Sequence, residues 1–175
     1  MEDLKIHYFP DKVLRQKTKK IVRIDNTVRE LSEKMLAVMK EASGIGLASN
    51  QVGKLFRLAV IGNLPDILDE PLILINPEIN DFEGWTTRDE GCLSFPGVSA
   101  AVRRRTKIYA TFWNLKEEEM KIEAQGILAR AIQHELDHLN GILFPDHLSF
   151  LSRQLLLQKY KGLSRNKIAH LESRI

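Results

Sequence analysis

Residues 126–140 (Gly-Ile-Leu-Ala-Arg-Ala-Ile-Gln-His-Glu-Leu-Asp-His-Leu-Asn) have the spacing of an amphipathic helix, and that helix places a carboxylate among its apolar residues. His134 and His138 are one turn apart, separated by about 40° on a helical wheel. Ile127, Leu128, Ala131, Ile132 and Leu139 share an arc of about 140°, with Glu135 near its middle. Gln133, Asp137 and Asn140 fall on the opposite, polar side. A carboxylate turned toward a core costs roughly several kcal/mol unless a charged or hydrogen-bonding group receives it. A metal ion would do so. Two imidazoles at this spacing can bind one cation, and the intervening glutamate can take a proton from water activated beside it. Two surface or hydrogen-bonded histidines are the plainer account of the same letters. Spacing, apolar register and the helix stop at Gly141 nevertheless agree on the metal site.

Two histidines leave a catalytic metal short of a ligand, because such sites combine three protein ligands with an open position. Cys92 or an unassigned Asp, Glu or His could supply the third. A lone cysteine is more often a small buried hydrophobe, yet a two-histidine helix in need of a partner shifts the balance toward Cys92. His7, His147 and His170 lack comparable context and read as structural or surface residues.

With 175 residues, of which 43% are hydrophobic, the chain can bury one core, and a single domain over 1–175 is expected. A first helix is expected over 28–42, ended by Ser43-Gly44, and a glycine-punctuated stretch follows over 44–53. Strands are expected at 56–61, at 72–76 closed by Pro77, and at 79–89, 98–103, 106–114 and 119–125. Leu148 to Tyr160 reads as a terminal helix, and 149–175 as a basic helical tail. The fold class expected is therefore α+β: mixed or antiparallel strands packed around a central metal-binding helix, with an N-terminal and a C-terminal helix. The net charge of +3 is scattered among acidic residues through most of the chain and does not amount to a nucleic-acid footprint, so no specific DNA binding is expected. The cluster of Lys17, Lys19 and Lys20 and the run Arg103-Arg104-Arg105 read as solvated surface. One cysteine, no secretory leader and no membrane-length apolar run point to the cytoplasm.

Three segments together resemble the signature motifs of the peptide deformylases: Gly44-Ile45-Gly46-Leu47-Ala48-Ser49-Asn50-Gln51, Glu90-Gly91-Cys92-Leu93-Ser94 and Gln133-His134-Glu135-Leu136-Asp137-His138. They stand in that family's order, and the resemblance runs over about residues 1–150. It implies a hydrolase that removes the formyl group from the N-terminal methionine of nascent chains. It further implies Cys92, His134 and His138 as metal ligands, with ferrous iron the usual ion and zinc, nickel or cobalt able to replace it. Glu135 would be the general acid/base, and the Gln51 side-chain amide and Leu93 backbone N–H would stabilise the oxyanion. Backbone near Ile45-Gly46 and Pro96-Gly97 could pair with an extended peptide, and Ile45, Leu128, Ala131 and Ile132 are candidates to line a methionine pocket. Arg130, one turn before His134, either borders the site or reaches solvent.

Two departures stand out. Ser49 replaces the second alanine usual after the leucine of the first motif; buried without a partner, its hydroxyl would cost about 1–3 kcal/mol. Ser99 occupies a region where some relatives place an arginine, so peptide affinity is expected to differ. The resemblance also allows a ribosome contact through the basic tail, although a solvated chain end accounts for the same residues. A zinc endopeptidase would share His-Glu-x-x-His but normally takes its third ligand downstream. A structural metal in a binding module would need a fourth protein ligand and no glutamate like Glu135.

Overall fold

The computed structural model describes residues 4–172, with side chains described through residue 163. The tail residues Arg165, Lys167 and His170 therefore have no described side chain, and Arg174 lies outside the described residues.

Helix α1 spans Asn26–Glu41, and the Asp25 carboxylate caps its first turn by accepting from the Val28 N–H. The segment after it contains a short strand, β1 (Gly46–Ala48), followed by β2 (Leu58–Ile61) and β3 (Leu72–Glu83). Strands β4 (Thr86–Gly91) and β5 (Ser99–Arg104) form a separate two-stranded ribbon. β6 (Lys107–Trp113) and β7 (Glu119–Gln125) complete a five-stranded antiparallel sheet in the order β1-β2-β3-β6-β7. Helix α2 (Gly126–Leu139) and helix α3 (Phe150–Glu172) follow. The class is α+β, as expected from the pattern of elements.

Strand alternation explains the layering. Every residue of β2 is buried because each of its faces meets a helix. Leu58 and Val60, with Leu47 and Ile75 beside them, join Val28, Leu31, Met35 and Met39 of α1. Ala59 and Ile61, with Ala48 and Leu74, pack instead against Leu128, Ile132, Leu136 and Leu139 of α2. A third cluster centred on Phe95, Leu14, Phe144 and Tyr160 ties the β4–β5 ribbon to the N-terminal segment and α3. Phe95 and Phe9 stack there with ring centroids 4.8 Å apart.

Several expectations are corrected. Pro77 does not close a strand: β3 continues through it, because a register shift between Ile75 and Glu78 removes the need for a ladder N–H at that point. The stretch 79–89 is instead divided at Gly84-Trp85. The terminal helix starts at Phe150 and extends well past Tyr160. Arg104 is not solvated surface but a buried residue, at 4% exposure. Gln133 and Asp137, placed on a polar face by the wheel, are also drawn inward. The Gln133 amide clamps the backbone of Arg105, and Asp137 pairs with Arg104.

Candidate metal centre and active site

The ribbon leaves the main sheet after β3 and rejoins it at β6, so the loop between its two strands lies over α2. That route brings Cys92 to the two histidines. Cys92 Sγ is 3.2 Å from His138 Nε2, which is itself 3.2 Å from His134 Nε2. Ligand atoms of these three residues all lie within 4.8 Å of one another, making them a group among the described residues that could hold a metal ion.

The His134 ring is held from behind, whereas His138 is fixed through its backbone and its Nδ1 has no hydrogen-bond partner among the described residues. His134 Nδ1 is 2.6 Å from Glu90 Oε1, which turns Nε2 toward Cys92. Asn50 reaches the other histidine's backbone, donating to the His138 carbonyl at 2.5 Å. Gly141, in the left-handed region at φ 75°, ends the helix in the confined space beside the Arg15 carbonyl, where any Cβ would clash.

Glu90 is the centre of a buried charge network. Arg104 donates to both of its carboxylate oxygens at 2.6 and 3.1 Å, and Arg130 donates to Oε2 at 2.9 Å. Arg104 also reaches Asp137 at 2.5 Å, and Asp137 Oδ2 lies 2.6 Å from His147 Nε2. Burial alone would raise the Glu90 carboxyl, but the hydrogen bonds from His134 and Arg104 hold it well below the usual carboxylate range. Arg130 thus resolves to a residue that anchors Glu90 and borders the cavity.

Glu135 experiences the opposite balance. It is almost fully buried, its Oε2 has no hydrogen-bond partner among the described residues, and burial pushes its carboxyl up to about 7 against the opposing pull of His134. His138 is kept well below the ordinary imidazole value by burial and by repulsion from His134. Burial opposes a charged His134 too, but its contacts with Cys92 and Glu90 raise it well above the ordinary value.

A cavity of about 590 Å³ opens onto these groups. Its walls include Ile45, Gly46, Gln51, Leu93, Gly97 and Ala131, together with Cys92, His134 and Glu135. Leu128 is not on this wall but in the core between α2 and the sheet. Ile127 takes the opposite course, half-exposed on the cavity edge. The Ala48 N–H donates to Gln51 Oε1 at 2.8 Å, which directs the amide nitrogen to Ser94 Oγ (3.1 Å) and Cys92 Sγ (3.5 Å). The Leu93 N–H has no hydrogen-bond partner among the described residues. Ser49 is fully buried, and its hydroxyl donates to the Phe56 carbonyl, which removes the penalty attached to an unpaired hydroxyl.

Gly46 yields a prediction of its own. A Cβ there would lie 2.9 Å from Glu135 Cδ and closer still to Oε1. Gly46→Ala is expected to retain the fold while displacing the Glu135 carboxylate from the cavity wall, and to lower any activity that uses this carboxylate at least about ten-fold. Circular dichroism and turnover, measured on one preparation, check this.

A helix that presents two imidazoles and a carboxylate to a cavity facing a thiol, with donors turned inward from a neighbouring loop, is the apparatus of a metal-dependent hydrolase. Comparison with known proteins agrees. Residues 3–154 match the polypeptide deformylase family. A peptide deformylase from Thermodesulfovibrio yellowstonii is 44% identical over 162 residues, covering 92% of this chain and 98% of the relative. The crystal structure of the Ehrlichia chaffeensis enzyme superposes with a TM-score of 0.89 at 32% identity, covering 95% of this chain and 99% of that one. A Synechococcus elongatus deformylase in complex with actinonin gives 0.83 at 41% identity, covering 90% and 86%. The chain belongs to the polypeptide deformylase family, hydrolases that remove the N-terminal formyl group from newly made polypeptides.

Sequence reasoning missed Glu90 as the group orienting His134, Arg104 as its counter-charge and Ser94 as a partner of Gln51. Glu90 and Ser94 stood inside the second motif, so position was a signal. Nothing local marked Arg104 rather than its two neighbours.

Proposed function

We propose that Cys92, His134 and His138 hold one divalent cation and that Glu135 carries the proton in hydrolysis of N-formylmethionyl chains. The observation supporting this most directly is the convergence of three donor atoms beside a buried, unpartnered carboxylate oxygen on the wall of an open cavity. Such an ion, when bound, lowers the pKa of water and polarises the formyl carbonyl. Glu135 accepts a proton from the attacking water and delivers it to the departing amine as the C–N bond breaks and formate leaves. Its carboxyl, near 7, suits both halves of that transfer. The Gln51 amide and the Leu93 N–H stabilise the oxyanion that forms in between. β1 lies at the edge of its sheet, so the backbone at Ile45-Gly46 can receive the substrate as an added strand, with Gly97 across the cavity. The methionine side chain would then rest among Ile45, Ile127 and Ala131.

A thiolate with two imidazoles suits soft and borderline metals, and ferrous iron is the ion proposed for the cell, with zinc, nickel or cobalt in purified protein. The cytoplasm is the proposed compartment, and the basic tail is proposed to touch the ribosome. None of the described helices is long and apolar enough to cross a membrane.

The reading is tested with anaerobically purified protein, formyl-Met-Ala and the unformylated peptide. Formate release from the first substrate only, its loss on chelation and its return with ferrous ion are expected. Actinonin, bound in the Synechococcus elongatus structure, is expected to inhibit. Cys92→Ala is expected to lower metal content at least about ten-fold at limiting ion. Undiminished formate release from protein shown to be metal-free would refute the assignment.

A further inference from the structure

The run Arg103-Arg104-Arg105 covers the last two residues of β5 and the one after it, and successive side chains point to opposite faces. Arg104 turns inward to Glu90, and Arg103 and Arg105 turn outward together. Both meet Trp85. The Arg105 guanidinium lies 3.5 Å from the Trp85 ring centroid and 3.5 Å from that of Phe82, and Arg103 lies 4.4 Å from Trp85. Trp85 and Phe82 are each close to half exposed, so the stack is a surface feature.

Neither outward guanidinium has a hydrogen bond or ion pair among the described residues. The nearby acids are already engaged: Lys107 pairs with Glu83 and Glu123, and Tyr109 donates to Glu83 at 2.6 Å. An arginine stacked on an aromatic ring has its plane fixed while its N–H edge remains free, an arrangement suited to phosphate oxygens. The two-point clamp of Gln133 on the Arg105 backbone, at 2.9 and 3.0 Å, fixes the patch to the residue preceding His134. The patch occupies the end of the ribbon away from Cys92, and neither arginine lines the catalytic cavity.

We propose that Arg103, Arg105, Trp85 and Phe82 form a docking surface for the phosphate backbone of RNA, separate from the catalytic cavity and from the basic tail. RNA is the occupant because the enzyme acts on nascent chains, whose source is an RNA-rich particle. From the sequence the run reads as solvated surface throughout; alternation instead turns Arg104 inward and leaves the other two cations together on one outer face.

The test is fluorescence anisotropy of the full chain with a labelled single-stranded RNA, titrated over a range of salt concentrations. Arg103→Gln/Arg105→Gln is expected to weaken binding roughly ten-fold near physiological salt and to reduce the slope of log Kd against log salt by about 1.4. Arg103→Lys/Arg105→Lys is expected to keep most of that slope. All three proteins are expected to release formate from formyl-Met-Ala at the same rate, which shows the variants folded and separates this inference from the catalytic one. Unchanged affinity and slope in the glutamine variant overturn the proposal. So does binding of the wild type to anionic phospholipid vesicles but not to RNA.

Discussion

Glu135→Gln is expected to slow formate release from formyl-Met-Ala by about a hundred- to ten-thousand-fold, the range associated with loss of a positioned acid/base. Glutamine has nearly the shape of glutamate, so the cavity and the three donors should be undisturbed, and metal content should match the wild type. The loss should fall on kcat rather than KM, because the proposed role sets the carboxylate against the reacting atoms and not along the peptide's length. Stability should move the other way. Burial raises the Glu135 carboxyl from 4.5 to about 7 in the folded chain. The folded state therefore holds its proton more tightly than the unfolded state, and ionisation costs stability progressively as pH rises from about 4.5 to about 7. Metal-stripped Glu135→Gln lacks that cost. Its urea midpoint should exceed the wild type's at neutral pH and depend less on pH across this window. Full activity in a metal-loaded Glu135→Gln enzyme would remove Glu135 from the mechanism.

The same residue shows what could be read from the sequence. Its neighbours at i±1 and i±3 are set by helical geometry alone, so the placement of His134, Glu135 and His138 on one helix followed from spacing. The α+β class followed too, since strand-like stretches lie between helical ones. Burial within the helix was read less well. Ile127 sits on the apolar arc yet meets the cavity edge, and Gln133 sits on the polar arc yet is buried by the β5–β6 connection. A helical wheel describes one element, whereas the partners of each face come from strands far away in sequence. Glu90 and His134 are 44 residues apart, and only the detour of the ribbon brings them within hydrogen-bond distance. Pro77 misled for a related reason: a proline argues against an interior strand unless a bulge is present, and a bulge is not written in the local letters.

Arg104 carries the largest expected effect on stability. Arg104→Met is expected to lower the free energy of unfolding by about 3–5 kcal/mol, the cost of leaving buried carboxylates without their counter-charge. Arg130 cannot replace it, because it already serves Glu90 Oε2 and is less deeply buried. The acid limb should move as well. With Arg104 and His134 beside it, Glu90 titrates below the usual carboxylate range in the folded state, so its stabilising contribution is complete at neutral pH and is lost only as pH falls through that depressed value. Removing Arg104 lifts the folded pKa toward the unfolded one, and acid unfolding should begin at higher pH. Metal affinity should fall roughly 10–100-fold, because Glu90 holds the His134 ring in the orientation that frees Nε2. Glu90→Gln in the Arg104→Met background should cost less than the two single losses added together, since the charge left unpaired by the first change is removed by the second. Urea melts and metal titrations of the four proteins measure that coupling. Strict additivity would show that Arg104 and Glu90 act independently, and would dissolve the link between the buried network and the metal centre.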